Sequence, residues 1–167
     1  MDHLWAPWRM SYVGAEQPEG CIFCVMPAAG DDEANHVVYR GDAVFIMLNR
    51  YPYNTGHLMV APFRHVADPL DLTPQESSEI LYGMRIAMEL LRIAYQPEGF
   101  NIGANVGRCA GAGYAGHMHV HVVPRWSGDT NFMAVSAETR VVPEALAQTY
   151  RKLQQALEER QQQRTES

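Results

Sequence analysis

Few cysteines, a deficit of basic residues and the lack of a long apolar run limit what this 167-residue chain can be. Three cysteines do not make a disulfide framework, and this small, odd number favours a reducing, cytoplasmic setting. Thirteen Lys and Arg against nineteen Asp and Glu argue against a general nucleic-acid or membrane binder, but they allow a local phosphate site. No apolar segment approaches the roughly 20 residues of a membrane helix, and residues 1–5 lack the pattern of a signal peptide.

The rest of the composition is that of a globular protein, with 47% hydrophobic and 10% aromatic residues. The length predicts a single domain over residues 1–167. Residues 1–35, which contain Cys21 and Cys24, show no regular period and are expected to wrap over the body as ordered coil. The wholly polar residues 158–167 are expected to fray.

The pattern of apolar and turn-forming residues predicts an α+β domain. A capping box at Thr73 and Glu76 opens a long central helix, which Pro97 ends. Pro143 is expected to begin a C-terminal helix. Short turns between strands favour a mainly antiparallel sheet, and the predicted strands are Val37–Tyr39, Ala43–Leu48, His57–Pro62, Phe100–Val106 and His117–Val123.

Three of the seven histidines alternate with apolar residues in the last predicted strand. Because strand side chains point alternately to opposite faces, His117, His119 and His121 share one face and the residues between them enter the core. A lone strand histidine is most often structural, whereas a row of three suits either a metal ion or attack on a phosphate. Parallel side chains converge poorly on one ion, which favours an extended phosphate chain lying across the row.

This His-x-His-x-His segment, together with Gly56–Pro62 upstream, resembles the histidine-triad (HIT) superfamily of nucleotide hydrolases and transferases. The resemblance runs from about Cys21 to Met133, and Leu4–Met10 and Val123–Met133 are similar to the bacterial diadenosine tetraphosphate phosphorylase branch. It implies a HIT-like fold and an enzyme that cleaves at the α-phosphate of a dinucleoside polyphosphate through a covalent nucleotidyl-histidine intermediate. Water or inorganic phosphate then releases the nucleotide.

The resemblance assigns roles to the histidines. The middle histidine is the nucleophile in that family, which implies that His119 attacks phosphorus. His121 is implied to face the α-phosphate as a donor, and His117 completes the catalytic triad. His57 is implied to be a second phosphate contact, and the alternative is a surface histidine at a strand start.

The resemblance also implies nucleotide contacts outside the triad. Asn49 occupies the place of a ribose-binding Asp or Asn, although Asn is also a common turn former. Phe23 and Leu48 occupy base-pocket positions and are otherwise ordinary core residues. Asn105 matches a phosphate-contacting Asn, while Gly113 stands where many relatives have a Gln linked to the leaving group or the acceptor. The acceptor of the second step is therefore open.

Zinc-carrying HIT proteins and the related galactose-1-phosphate uridylyltransferases combine a CxxC motif with two histidines. Cys21, Cys24, His65 and His117 match that combination, which implies one structural zinc ion per chain and no organic cofactor. Such a closed site also orients the strand that carries His119. The alternative is a reduced cysteine pair without metal.

Other functions are compatible with the same residues. The alternatives are a nucleoside phosphoramidate hydrolase, a nucleotide-binding sensor with incidental turnover, and a metalloenzyme with its ion on the three triad histidines. Base preference, polyphosphate length and the choice between hydrolysis and phosphorolysis are open. The expected partners are a nucleotide substrate, inorganic phosphate and a second copy of the chain docked on the apolar C-terminal helix; neither nucleic acid nor a membrane is expected.

Overall fold

The structure, a computed structural model, describes residues 20–129 and 144–165 of the chain. These residues form one antiparallel five-stranded sheet with three helices, which confirms the predicted α+β class. None of the described helices is long and apolar enough to cross a membrane. The elements in chain order are α1 Ile22–Ala28, β1 Val37–Arg40, β2 Val44–Leu48, β3 Leu58–Pro62, α2 Pro74–Tyr95, β4 Gly99–Gly103, β5 Val120–Arg125 and α3 Leu146–Thr165.

The strand order brings the histidine segment into the middle of the sheet. The order is β1-β2-β3-β5-β4, and every neighbouring pair is antiparallel. Strand β5 therefore lies between β3 and β4, with His121 level with Met59 on one side and Gly103 on the other. Because His57 directly precedes β3, this order also brings His57 into hydrogen-bonding distance of His121.

Alternation along the strands gives the sheet two buried faces. One face packs against α2 and α3, and Val60 and Val122 belong to this helix-facing core. The opposite face carries Met47, and Phe23 of α1 packs on it. The ring of His119 stacks on Phe23, so the triad lies on this second face, called the histidine face below.

Helix α2 begins where the sequence predicts it. Oγ1 of Thr73 accepts a hydrogen bond from the backbone N–H of Glu76, and the Glu76 carboxylate accepts one from the N–H of Thr73. The C-cap Gln96 has a φ of 48°, in the left-handed region, which ends the helix. Gly83 allows close packing of α2 on β3, because a Cβ there would lie 2.8 Å from Cγ1 of Val60.

The last two strands have different boundaries from those predicted. Strand β4 ends at Gly103, before the predicted end at Val106. Strand β5 begins at Val120, so the first two triad histidines precede it. The later start of β5 has a physical reason. The N–H of Met118 donates to the carbonyl of Val66, in the segment after β3, at 2.6 Å, instead of taking part in the hydrogen bonds between strands.

Both ends of the described chain are more helical than the sequence suggests. Residues 22–28 form helix α1 rather than ordered coil, with Phe23 buried under the histidine face. Helix α3 continues to Thr165 through the segment predicted to fray. Arg160 stabilises that segment, because its Nε lies 2.6 Å from Oε2 of Glu89 on α2. Pro143, residues 1–19 and the end of the chain after Thr165 lie outside the described residues.

The apolar side of α3 is buried within its own chain. Leu153 is fully buried, and Tyr150 and Ala156 belong to the helix-facing core. The hydroxyl of Tyr150 also donates to the carbonyl of Val37 at 3.4 Å. The expectation that this stripe serves as a dimer interface is therefore wrong, because the stripe closes the core of the monomer.

Candidate active site and metal centre

The three triad histidines share one face although only the last of them lies in a strand. The rings of His119 and His121 meet nearly edge to face with centroids 4.9 Å apart. His117 is fully buried and His119 is 6% exposed, whereas His121 is half-buried. Met118, between the first two, enters the helix-facing core, so the alternation that the sequence predicts holds through this segment.

One hydrogen bond sets the tautomer of His119. Its Nδ1 lies 2.8 Å from the backbone carbonyl oxygen of His117, which can only accept, so Nδ1 carries the proton. In the neutral ring the lone pair then lies on Nε2. Phe23 stacks on this ring at a centroid distance of 4.5 Å. Burial lowers the pKa of His119, which keeps the ring neutral and its Nε2 nucleophilic near neutral pH.

A second chain of hydrogen bonds sets the tautomer of His121. The backbone N–H of Tyr53 donates to Nδ1 of His57 at 3.1 Å, so the proton of His57 is on Nε2. That Nε2 lies 2.9 Å from Nδ1 of His121 and donates to it. The remaining proton of neutral His121 is therefore on Nε2, where it can be donated to a bound anion.

Burial keeps both members of this pair neutral. It lowers the pKa of His57 to about 3, with smaller contributions from His121 and His119. Burial, followed by the neighbouring His119, lowers the pKa of His121 to about 4. At neutral pH the histidine face consequently holds imidazoles rather than imidazolium ions, and their tautomers are fixed by hydrogen bonds.

The expected phosphate contact by His57 does not agree with its position. His57 is 0% exposed, and both of its ring nitrogens have partners. The ring of Tyr53 covers it at a centroid distance of 4.7 Å. His57 can therefore act on a phosphate only through His121, which makes it a positioning residue. Tyr53 was not singled out in the sequence, where its only signal is a place in the turn-rich loop before His57.

Asn49 takes part in a local turn. Its Oδ1 accepts the backbone N–H of Tyr51 at 2.9 Å, which is the geometry of a turn-forming Asn. Its amide Nδ2 lies 3.4 Å from Nδ1 of His57, a second contact that links the turn to the histidine pair. The role of Asn49 in binding a ribose stays a prediction.

The two expected base-pocket residues lie on opposite faces of the sheet. Leu48 is buried in the helix-facing core, so it does not line the histidine face and its assignment to a base pocket is wrong. Its neighbour Met47 has the orientation that Leu48 was expected to have. Phe23 does lie on the histidine face, where its buried ring stacks on the ring of His119.

The glycine-rich loop between β4 and β5 lies beside the histidine face. Gly113 is exposed and Asn105 is half-buried, and their phosphate contacts stay predictions. Tyr114 of this loop meets the ring of Phe23 edge to face at 6.0 Å, which places the loop next to His119. Backbone N–H groups of such a loop can approach phosphate oxygens closely.

Cys21, Cys24, His65 and His117 come together in one cluster although they are far apart in sequence. One ligand atom of each lies within 4.8 Å of all the others, and no other such group of metal-binding side chains is found within residues 20–129 and 144–165. Nδ1 of His117 lies 3.4 Å from Sγ of Cys21 and 3.6 Å from Sγ of Cys24. Sγ of Cys24 lies 3.3 Å from Nδ1 of His65.

The donor set and its spacing fit a tetrahedral metal ion. With ordinary zinc bond lengths, a sulfur and a nitrogen ligand are about 3.5 Å apart. Nε2 of His117 donates to the backbone carbonyl of Pro62 at 2.9 Å, which leaves Nδ1 free to face the sulfurs. Cys21 caps α1 and Cys24 lies in its first turn, so one turn of helix presents both thiols. Two thiols and two imidazoles are characteristic zinc ligands.

A sequence model of the HIT domain family matches residues 31–128, which is more than half of the chain. The chain belongs to the HIT family. This confirms the resemblance seen in the histidine row.

Two curated HIT relatives have named activities. The chain is 42% identical over 163 residues to a Mycobacterium tuberculosis protein named AP-4-A phosphorylase, covering 92% of this chain and 83% of that one. It is 32% identical over 95 residues to the asymmetrical bis(5'-nucleosyl)-tetraphosphatase of Schizosaccharomyces pombe, covering 57% of this chain and 52% of that one.

A solved HIT structure shares the fold. The crystal structure of a Zn-bound histidine triad family protein from Mycobacterium smegmatis superposes with a TM-score of 0.69 at 25% identity. The match covers 86% of this chain and 96% of that chain. The architecture described above is therefore that of a HIT protein.

Proposed function

We propose that this HIT protein is an enzyme that cleaves dinucleoside polyphosphates of the diadenosine tetraphosphate type at an α-phosphate. The observation that carries the proposal is the fixed tautomer of His119, whose Nδ1 donates to the carbonyl of His117 and whose Nε2 has the lone pair. The names of the M. tuberculosis and S. pombe relatives support this class of substrate.

In the first proposed step, Nε2 of His119 attacks the α-phosphorus. A nitrogen–phosphorus bond forms while the bond from phosphorus to the bridging oxygen breaks, and that oxygen leaves with the electron pair as part of the departing nucleotide. The ring of His119 gains positive charge, which the hydrogen bond from Nδ1 to the carbonyl of His117 stabilises. The product is a nucleotidyl-histidine held as a phosphoramidate.

His121 stabilises the charge that develops on the phosphate. Because Nδ1 of His121 accepts from His57, the Nε2–H of His121 is the proton that it can donate, and a donor fixed in place needs no reorganisation during the reaction. Tyr53 and His57 hold this donor in orientation through the two hydrogen bonds behind it. His117 contributes through its backbone carbonyl rather than through its ring.

In the second step, an oxygen nucleophile attacks phosphorus, breaks the bond to Nε2 and restores neutral His119. We propose that inorganic phosphate is this nucleophile, so that the product is a nucleoside diphosphate. The AP-4-A phosphorylase name of the 42% identical relative supports phosphate. Gly113 also supports it, because a residue without a side chain leaves room where many relatives have Gln.

The Cys21, Cys24, His65 and His117 cluster is proposed to hold one zinc ion. Bound there with four protein ligands, zinc supplies structural stabilisation and has no open position for substrate. Its support is the donor set, whose atoms lie within 4.8 Å of one another, and the Zn-bound relative from M. smegmatis. Thiolate ligands need reduced cysteines, which agrees with the reducing, cytoplasmic setting predicted from the sequence.

A homodimer is part of the proposal, with the outer edge of β4 as its contact. Within residues 20–129 and 144–165, no strand pairs with that edge. Ile102 on β4 and Val106 just after it are 40% and 42% exposed. An exposed strand edge with apolar side chains favours pairing with a second copy.

Light scattering tests the dimer. We expect the parent protein to be a dimer and Ile102→Lys to shift it towards monomer. The control Leu81→Lys, on α2, should leave the dimer unchanged.

Product analysis with diadenosine tetraphosphate tests the proposed reaction. With inorganic phosphate we expect ADP together with ATP, and without phosphate little turnover. AMP together with ATP, formed equally with and without phosphate, would overturn phosphorolysis and leave a hydrolase. Binding of the substrate without turnover under either condition would contradict an enzyme and favour a sensor.

A further inference from the structure

A cavity of about 440 Å³ lies between α2 and α3, on the side of the sheet opposite the histidines. Its volume falls within the roughly 300–1,000 Å³ that small-molecule sites occupy. Four arginines line it: Arg85 and Arg92 from α2, and Arg160 and Arg164 from α3. Among the described residues that line it, Glu89 has the only carboxylate. The cavity is therefore strongly basic in a chain whose net charge is −6.

The one carboxylate is already shared between two of the arginines. Oε1 of Glu89 lies 3.0 Å from Nε of Arg85, and Oε2 lies 2.6 Å from Nε of Arg160. Neither Arg92 nor Arg164 has a carboxylate partner within residues 20–129 and 144–165. At least two positive charges in the cavity are consequently not balanced by an acidic side chain.

The two uncompensated arginines are held by neutral groups. Nη1 of Arg164 donates to the hydroxyl of Tyr82 at 2.6 Å, and the guanidinium of Arg92 lies 5.7 Å from the centre of the Phe100 ring. These contacts orient both guanidiniums without neutralising them. Hydrogen bonds from Arg164 and Arg160 also lower the pKa of Tyr82, which is the expected effect of the positive potential there.

We propose that this cavity is a second binding site, which takes a small polyphosphate anion. Guanidinium groups bind phosphoryl oxygens with paired hydrogen bonds, and several converging arginines are typical of phosphate recognition. Arg160 provides a rigid base for the site, because its side chain is 9% exposed and paired with Glu89. Arg92 and Arg164 supply the free charge. The phosphate chain can come from a free nucleotide or from an inorganic polyphosphate.

The site is separate from the proposed reaction and does not depend on it. The histidine face contains the proposed nucleophile His119, whereas the cavity lies between α2 and α3, which pack on the opposite face of the sheet. Binding can therefore be measured with inorganic triphosphate, which carries no nucleoside, in a His119→Ala protein that cannot transfer a nucleotidyl group.

Calorimetric titration of triphosphate into matched variants tests the proposal. Arg92→Gln combined with Arg164→Gln should weaken binding at least about tenfold, because the loss of even one charge-assisted hydrogen bond raises the Kd by about that factor. The matched control is Arg151→Gln, an exposed arginine of α3 that does not line the cavity. Neither change removes a carboxylate pair, so both proteins should melt close to the parent.

Backbone amide shifts in an NMR titration with triphosphate locate the bound anion. We expect shifts along Tyr82–Arg92 and Arg160–Arg164, and weaker binding at higher salt. Unchanged affinity in the double variant, or shifts confined to the loop before His117, would overturn the site, as would the absence of triphosphate binding. Tighter binding of ATP than of triphosphate supports a nucleotide as the natural source, and equal binding supports the phosphate chain alone.

Discussion

The Nδ1 of His119 lies 2.8 Å from the backbone carbonyl of His117, the residue whose own ring faces the two cysteine sulfurs. One residue thus joins the proposed metal site and the proposed nucleophile. Its ring belongs to the cluster of Cys21 and Cys24, and its carbonyl sets the tautomer of His119. Through this connection the backbone beside the Cys21 and Cys24 cluster orients the ring of His119.

Removal of the proposed nucleophile should abolish turnover. His119→Ala is expected to lose several orders of magnitude in kcat, since no other group forms the nitrogen–phosphorus bond. The fold should persist, because the ring stacks on one face of Phe23 and leaves α1 in place. Circular dichroism checks the fold, and Arg151→Gln serves as the activity control. A variant that keeps more than about a tenth of the parent rate contradicts a nucleophilic His119.

The positioning role of His57 predicts a split between its substitutions. His57→Ala removes the donor to Nδ1 of His121 and should lower kcat about tenfold or more, with a smaller change in KM. His57→Gln retains an amide donor and should recover part of the loss. Equal kcat values for the two variants, both close to the parent, would show that the pair does not orient His121.

The same pair predicts that stability depends on pH. The pKa of His57 is about 3 and that of His121 about 4, against the ordinary 6.5, so the folded state binds fewer protons than the unfolded state between these limits. The contribution of these histidines to the free energy of unfolding should then be fully present above about pH 6.5, and it should decrease as the pH drops towards 4. The slope is up to ~1.4 kcal/mol per pH unit for each histidine.

Urea denaturation at several pH values measures this slope. His57→Gln removes one of the buried histidines whose pKa is lowered, and it leaves the Cys21, Cys24, His65 and His117 cluster unchanged. The variant should therefore show a shallower decline below about pH 6.5 than the parent. Parallel curves for the two proteins would mean that His57 does not titrate as its burial requires.

Loss of one thiol ligand should lower metal content and stability together. Cys24→Ser is expected to reduce zinc per chain and the Tm, because an ion bound only to the folded state stabilises that state. Activity well below the Tm should fall much less than in His119→Ala. Cys109→Ser is the matched control, since Cys109 is exposed and outside the cluster. Protein purified without chelator that contains no metal by elemental analysis would refute the zinc site.

Substitution of Asn49 separates its two proposed roles. If Asn49 binds a ribose, Asn49→Ala should raise KM more than it lowers kcat, because ribose contacts act in the ground state and the transition state alike. If Asn49 only closes the turn through Tyr51, KM should stay constant and the Tm should fall. Steady-state kinetics and thermal melting of the same preparation distinguish the two results.

The sequence determined the features that depend on local spacing. Alternation placed the three histidines on one face, and Thr73 with Glu76 specified the start of α2. The spacing of the CxxC motif predicted a pair of neighbouring thiols, although the sequence did not predict the helix that presents them. These features follow from side-chain periods of two or 3.6 residues and from hydrogen bonds within one turn, so a single segment contains the information.

Tertiary structure decided which face of the sheet each alternating set of side chains occupies. Alternation shows that Met47 and Leu48 point in opposite directions, but only the packing of α2 and α3 shows that Leu48 lies on the helix side. In the same way, β5 inserts between β3 and β4 and buries His57 behind His121, a relation that no local pattern contains.

The basic cavity also results from tertiary packing. Arg85 and Arg92 on one helix are unremarkable in the sequence, and so are Arg160 and Arg164 about 70 residues later. They meet because the apolar sides of α2 and α3 pack against the same face of the sheet, which brings their polar edges together. The sequence determined the spacing of groups within each segment, whereas long-range burial of apolar surface decided which segments became neighbours.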